Sequence, residues 1–293
     1  MNTDPEHADT TSGTTASPTL PADAGTAGTA GTADAATPDA TRPATPTPAT
    51  TTRDTDLRTR FRATLLAAGA DPAVDPEPYA DRLLTAWAEP QRRYHTTDHL
   101  ADVLSHLDAL TTHAADPAAT ELAAWFHDAV YRPDRSENEE RSAVLAERAL
   151  AELGVDPART AETARLVRLT VTHDPAPDDT NGEALCDADL AVLAGSPAAY
   201  AGYAAAVRSE YGFVPDEAFR AGRAAVLGQL LDLPRLFRTP YGATHWEAPA
   251  RRNLTRELTA LTTPTPTPGT TTTPTTPTGD TAPTTPEGPK DPT

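Results

Sequence analysis

Apolar residues return every three to four positions from about residue 55 to residue 260, and this period predicts helices along that whole stretch. Leu57, Phe61, Leu65 and Leu66 mark a first helix near 55–68, and Tyr79, Leu83 and Trp87 a second near 77–89. A third starts after Thr96 or Thr97, either of which brings a capping hydroxyl. Its stripe is Leu100, Val103, Leu104, Leu107 and Leu110. Asp116-Pro117 opens a fourth helix, with a capping acid followed by a first-turn proline; it carries Leu122, Trp125, Phe126 and Ala129. Ser136 and Glu139 form a capping-box pattern ahead of a fifth, which presents Val144, Leu145 and Leu153 and stops at Gly154. Asp156-Pro157 starts a sixth with Leu166, Val167 and Leu169, ending near His173. Further helices are expected near 184–194, from Ser196-Pro197 through Tyr200, Tyr203 and Val207, near 215–231 and near 248–260. No run alternates convincingly as a strand does. The fold class that follows is all-α, one domain of helices packed through their apolar stripes.

The periodicity stops at both ends. Residues 1–52 are mostly Thr, Ala, Pro, Gly and Asp, and residues 262–293 repeat Thr and Pro. Segments with so little apolar surface cannot offset the entropy of ordering them, so both read as disordered tails around a domain at 53–261. The formal net charge is −18, most of it on the central stretch. An acidic domain opposes a long nucleic-acid backbone, yet it still admits a small anion where a metal or a few arginines reverse the local field. The single cysteine, Cys186, excludes intrachain disulfides and thiolate metal clusters. No basic stretch leads into an apolar run at the N-terminus, and no apolar segment is long enough to span a bilayer. The expectation is a cytoplasmic protein with no membrane partner.

Chemistry concentrates in a few residues. His95 and His99 stand four apart in YHTTDH, at a helix start, where that spacing brings them to one side. His127-Asp128 falls on an otherwise apolar helix, where a lone carboxylate is costly unless paired or bound to a cation. On the residues alone, His127 capping carbonyls near a helix end and Asp128 pairing with an arginine is the simpler account of the dipeptide, ahead of a metal. Asp187 and Asp189 in LCDADLAVLAG are candidate inward acids, and a solvated helix face is the simpler alternative. His106 and His113 read as surface residues, and His245 as a loop residue.

Taken together, the blocks QRRYHTTDHL from residue 91, LAAWFHDAVYRPDRSENEERSA (122–143), LVRLTVTHD (166–174), LCDADLAVLAG (185–195), YAAAVRSEYGFVPDEAFRAGRAAVL (203–227) and ARRNLTREL (250–258) resemble the HD superfamily of metal-dependent phosphohydrolases. The likeness is to its small members of about 200 residues, and it covers the central domain and neither tail. It implies a divalent metal ion, as one or two ions of Mn, Fe, Co, Zn or Mg, held by His95, His127, Asp128 and Asp189. His99 and His173 resemble the extra histidines that hold a second metal or contact phosphate; His173 is the candidate further ligand, and His99 the candidate substrate contact. Asp128, Glu139 and Glu140 are the catalytic candidates, for orienting water or accepting a proton. Arg92, Arg208 and Arg223 are phosphate-binding candidates, since a guanidinium matches phosphate oxygens two at a time. Where the family usually has Asn after the Tyr-His pair, this chain has Thr96. The expected activity is metal-dependent hydrolysis of a small phosphorylated molecule such as a nucleotide. The alternatives are a helical binding module that keeps a metal site without catalysis, and a di-iron oxygenase.

Overall fold

A computed structural model describes residues 52–263. The expected tails at 1–52 and 262–293 lie outside that range, apart from their inner ends, which continue terminal helices. Among the described residues there are eleven α-helices, one 3-10 turn and no strand, as the periodicity predicts.

The helices are α1 (Thr52–Ala67), α2 (Glu77–Trp87), α3 (Thr97–Leu110), α4 (Pro117–Phe126), α5 (Asn138–Glu152), α6 (Pro157–Leu169), α7 (Thr180–Leu190), α8 (Pro197–Glu210), α9 (Asp216–Asp232), α10 (Pro240–His245) and α11 (Glu247–Thr262). The 3-10 turn, Ala191–Ala194, prolongs α7. Side-chain caps open most of them. Thr96, rather than Thr97, caps α3, its side chain accepting from the Asp98 N–H. Asp116 accepts from the Ala119 N–H at 3.0 Å, Asp156 from Ala158 at 2.9 Å and Ser196 from Ala199 at 3.2 Å. Gly154 ends α5 at φ 73°, in the left-handed region that a glycine enters without strain.

Helix α4 is the centre of the molecule. Its residues Leu122 to Phe126 are all buried, and it packs against α1, α3, α5, α6 and α7. A helix apolar on every side belongs inside a core. The apolar core around it runs from Leu57 of α1 to Ala188 of α7. A second apolar cluster joins Leu193 to Tyr200, Val226, Leu227, Leu230, Phe237 and Leu254, which tie α8, α9 and α11 to the end of α7.

Four sequence expectations change. Leu66 is exposed, because Leu57, Phe61 and Leu65 already define the inward stripe and the next residue turns about 100° away. Val144 is exposed as well; α5 instead buries Ser142, Ala143, Ala146, Ala149 and Leu150 against its neighbours. The Ser136–Glu139 capping box does not form. Helix α5 starts at Asn138, whose side chain accepts from the Arg132 N–H at 3.1 Å and donates to the Arg132 and Arg135 carbonyls. Helix α7 begins four residues before its expected start, capped by Asp179, which accepts from the Gly182 N–H at 3.0 Å. No single helix among the described residues is long and apolar enough to cross a membrane.

Candidate metal centre

The ends of α3, α4 and α7 meet at one small polar space. His99 is in the first turn of α3, His127 and Asp128 follow the last turn of α4, and Asp189 is near the end of α7. The ligand atoms of His99, His127 and Asp189 all lie within 4.8 Å of one another, and the three can hold a metal ion. His99 Nε2 is 3.3 Å from His127 Nε2 and 3.1 Å from Asp189 Oδ1, and His127 Nε2 is 3.7 Å from that same oxygen. Two nitrogens each about 2.05 Å from one tetrahedral ion stand about 3.3 Å apart, so the spacing of the two rings suits a shared cation. Asp128 Oδ2 closes a further side, 3.2 Å from His127 Nε2 and 3.9 Å from the Nε2 atoms of both His95 and His99. His99, expected on the substrate side, is thus a member of the inner cluster. His95 is at its outer edge.

Ring orientation follows from what the far nitrogens meet. His127 Nδ1 is 2.8 Å from the Ala124 carbonyl, which only accepts, so that nitrogen carries a hydrogen in either charge state, and Nε2 is the inward atom that binds a metal once its own proton leaves. His95 Nδ1 is 2.7 Å from Glu210 Oε2, which imposes the same tautomer. Glu210 is buried at the end of α8, and its Oε1 accepts from the backbone N–H groups of Arg93, Tyr94 and His95 at 2.7, 2.9 and 3.0 Å. Tyr131 also donates to Oε2, at 3.0 Å. Burial raises the proton affinity of this carboxyl, but His95 and the backbone donors outweigh it and hold the pKa down at about 2. Sequence reading leaves Glu210 without a role. Its place after the Arg208 turn is visible, but nothing local says that it reaches across 115 residues to His95.

The same balance governs the centre. Burial opposes charge on His127, yet Asp128 and Asp189 overcome it and raise its pKa to about 9. Both carboxyls are held far below their ordinary range, against their own burial, chiefly by His127. A proton on His127 therefore does the electrostatic work that a bound cation would do. The donor set, imidazole nitrogens with carboxylate oxygens, fits Mn, Fe, Co or Zn better than Mg.

The other candidates divide. His173 Nε2 is 2.8 Å from Asp189 Oδ2, the oxygen turned away from the other rings, so His173 orients the acid from behind. Glu139 is half-buried in the first turn of α5: burial first, then the charge of Asp128, raises its pKa, while His173 and His127 lower it. Glu140 is not brought there; it is exposed and pairs with Arg168 at 2.7 Å. Arg92 is buried and holds backbone rather than offering a free guanidinium. It donates to the carbonyls of His95, Asp128 and Ala129 at 3.1, 2.8 and 3.2 Å, and it lies over the Trp87 and Tyr131 rings. Arg208 binds Asp216 and the carbonyls of Tyr211 and Val214, and Arg223 binds Glu257 and Tyr203. Neither arginine is brought to the cluster, because each is spent on an ion pair within the α8–α9–α11 layer. Asp187, two residues before Asp189, points to the opposite side of α7. There it accepts from the N–H groups of Arg238 and Thr239 at 2.8 Å and from the Thr239 hydroxyl at 2.7 Å. The remaining histidines among the described residues make structural contacts. His106 Nδ1 lies 3.1 Å from the Ala188 carbonyl and is half-buried rather than superficial. His113 pairs with Glu183 at 2.7 Å, and His245 is on α10, stacked on Tyr241.

Aromatic rings wall the site. Trp87 lies against His127 with centroids 5.4 Å apart, Tyr94 against His95 and His99 at 4.7 Å, and Tyr131 stacks on His95 at 4.1 Å. These neighbours fix the imidazoles and lower the local dielectric, which strengthens every charge interaction inside. Compared with known proteins, the chain matches no family model, no curated protein and no solved structure.

Proposed function

We propose that this chain is a metal-dependent phosphohydrolase that cleaves a small phosphate ester at the His95, His99, His127, Asp128 and Asp189 cluster. Support comes above all from one observation: the ligand atoms of His99, His127 and Asp189 lie within 4.8 Å of one another, with the half-buried Asp128 3.2 Å from His127 and with His127 Nε2 turned inward by the Ala124 contact. The six sequence blocks that resemble the HD superfamily point the same way. A bound divalent ion supplies an activated water at neutral pH and charge neutralisation on a phosphoryl oxygen. The chain's own residues do the rest. His95 and Asp128, more open to solvent than His99 and His127, border the face from which an ester enters. Glu139, whose pKa burial raises, is the candidate to accept the proton of the attacking water. His173 holds the outer oxygen of Asp189 so that the inner one stays aimed at the cluster.

The test is metal content and ester hydrolysis for wild type, Asp128→Ala and Asp189→Ala, with circular dichroism to establish folding. Wild type is expected to retain divalent metal and to hydrolyse phosphomonoesters. Each variant is expected to lose activity by roughly 100-fold or more while staying helical. Wild type that binds no divalent ion defeats the proposal. Wild type that holds metal yet hydrolyses nothing across a broad ester panel leaves a non-catalytic binding module.

A further inference from the structure

Next to the cluster is a cavity of about 130 Å³, bounded by the turn at 172–174 and by the segment that joins α9 to α10. Leu230, Leu233 and Leu236 give it an apolar wall, and Arg235 and Arg238 stand at its rim. His173 belongs to both places: it lines the cavity, and its Nε2 is 2.8 Å from Asp189. It is also an unusual residue. Its φ is 48°, uncommon for anything but glycine, and its buried Nδ1 has no hydrogen-bond partner. Strain and an unmet polar atom cluster at functional positions.

Size and charge narrow what fits. An apolar cavity of about 150 Å³ takes benzene, so this one accepts a body of about one ring. Arg238 is partly neutralised by Asp174 at 2.9 Å, whereas Arg235 makes no ion pair among the described residues. A guanidinium left without an acid in a chain of net charge −18 is a local reversal of field beside an apolar wall. We infer that this cavity holds the part of the substrate that is not transferred: a ring-sized apolar body on the leucines, bearing a second anionic group that meets Arg235. The inference rests on the phosphohydrolase reading and adds the substrate class, the phosphate ester of an acidic, ring-sized alcohol or phenol.

Calorimetric titration of the metal-loaded full chain with 4-carboxyphenylphosphonate and with methylphosphonate tests it. The aryl compound binds more tightly. Arg235→Glu, on an exposed side chain, weakens it on the order of 5- to 10-fold. Gln229→Trp, which fills the exposed mouth from α9, weakens it at least as much. Neither substitution alters methylphosphonate affinity or metal content. Equal affinity for the two phosphonates, no detectable aryl binding, or aryl affinity indifferent to both substitutions overturns the assignment. The underlying reading fails separately. Metal-loaded wild type that binds the aryl phosphonate through Arg235 but hydrolyses neither 4-carboxyphenyl phosphate nor simpler esters keeps the cavity as a ligand site and removes the hydrolase.

Discussion

Glu210 illustrates how one buried side chain can set the state of another. With its carboxylate on His95 Nδ1 and on three consecutive backbone N–H groups, it fixes both the tautomer and the position of the loop before α3. Glu210→Gln keeps the shape and removes the charge. Metal affinity, measured by competition with a chelator, is expected to fall about 10- to 100-fold with the helical fold intact. Glu210→Ala leaves several buried donors unpaired and is expected to cost about 3 kcal/mol in denaturant unfolding as well. If Glu210→Gln binds metal as wild type does, the carboxylate has no hold on His95. At this scale the sequence was only partly readable. His127-Asp128 stood out because an acid on an apolar helix demands a partner. The arginines misled: a guanidinium announces its charge but not its ligand, and Arg92, Arg208 and Arg223 all proved to be occupied by backbone or acids of this chain.

Among the elements, α7 carries two acids with opposite duties. Residues two apart on a helix point about 200° from each other, so Asp189 enters the cluster while Asp187 caps the turn into α10. Asp187→Ala strands the Thr239 N–H and hydroxyl and is expected to lower stability by about 3 kcal/mol in urea unfolding, with metal affinity reduced because α7 loses its anchor. Full metal affinity in that variant separates the duties of the two faces of the helix. Gly154 offers a second check. A Cβ there meets Asp71 Cβ at 2.8 Å in a left-handed backbone, so Gly154→Ala is expected to cost about 1 kcal/mol or more. Helix positions were the most legible part of the sequence, because Asp-Pro and Ser-Pro pairs and the apolar stripes are local signals. The start of α7 was hidden for the opposite reason. Asn181 and Glu183 look like loop residues, yet they face Asp116, Glu162 and His113 of neighbouring elements.

For the molecule as a whole, the centre links protonation to stability. In the metal-free protein, His127 has a pKa of about 9, above its ordinary 6.5. Its contribution is complete below pH 6.5 and is lost as pH rises through 9. The sum is on the order of 3 kcal/mol. Asp128 and Asp189, held below their ordinary range, describe the same interaction from the acid side: their share is present above pH 4 and lost as pH falls further. Thermal unfolding of chelator-treated protein is therefore expected to peak between about pH 4 and 6.5 and to decline toward pH 9. Metal must displace the His127 proton, so affinity rises by about tenfold per pH unit below 9. A flat profile in both measurements contradicts this coupling. No sequence pattern revealed the coupling, because it depends on how closely three separate helix ends approach.

Arg92 gives this arrangement a practical outcome. By gripping the carbonyls behind His95 and Asp128, it sets the separation between the loop and the end of α4 whether or not an ion has arrived. The receptor is thus ready-made. Divalent ions of different radius are therefore expected to differ in affinity for this chain while leaving its helical content, followed by circular dichroism, unchanged.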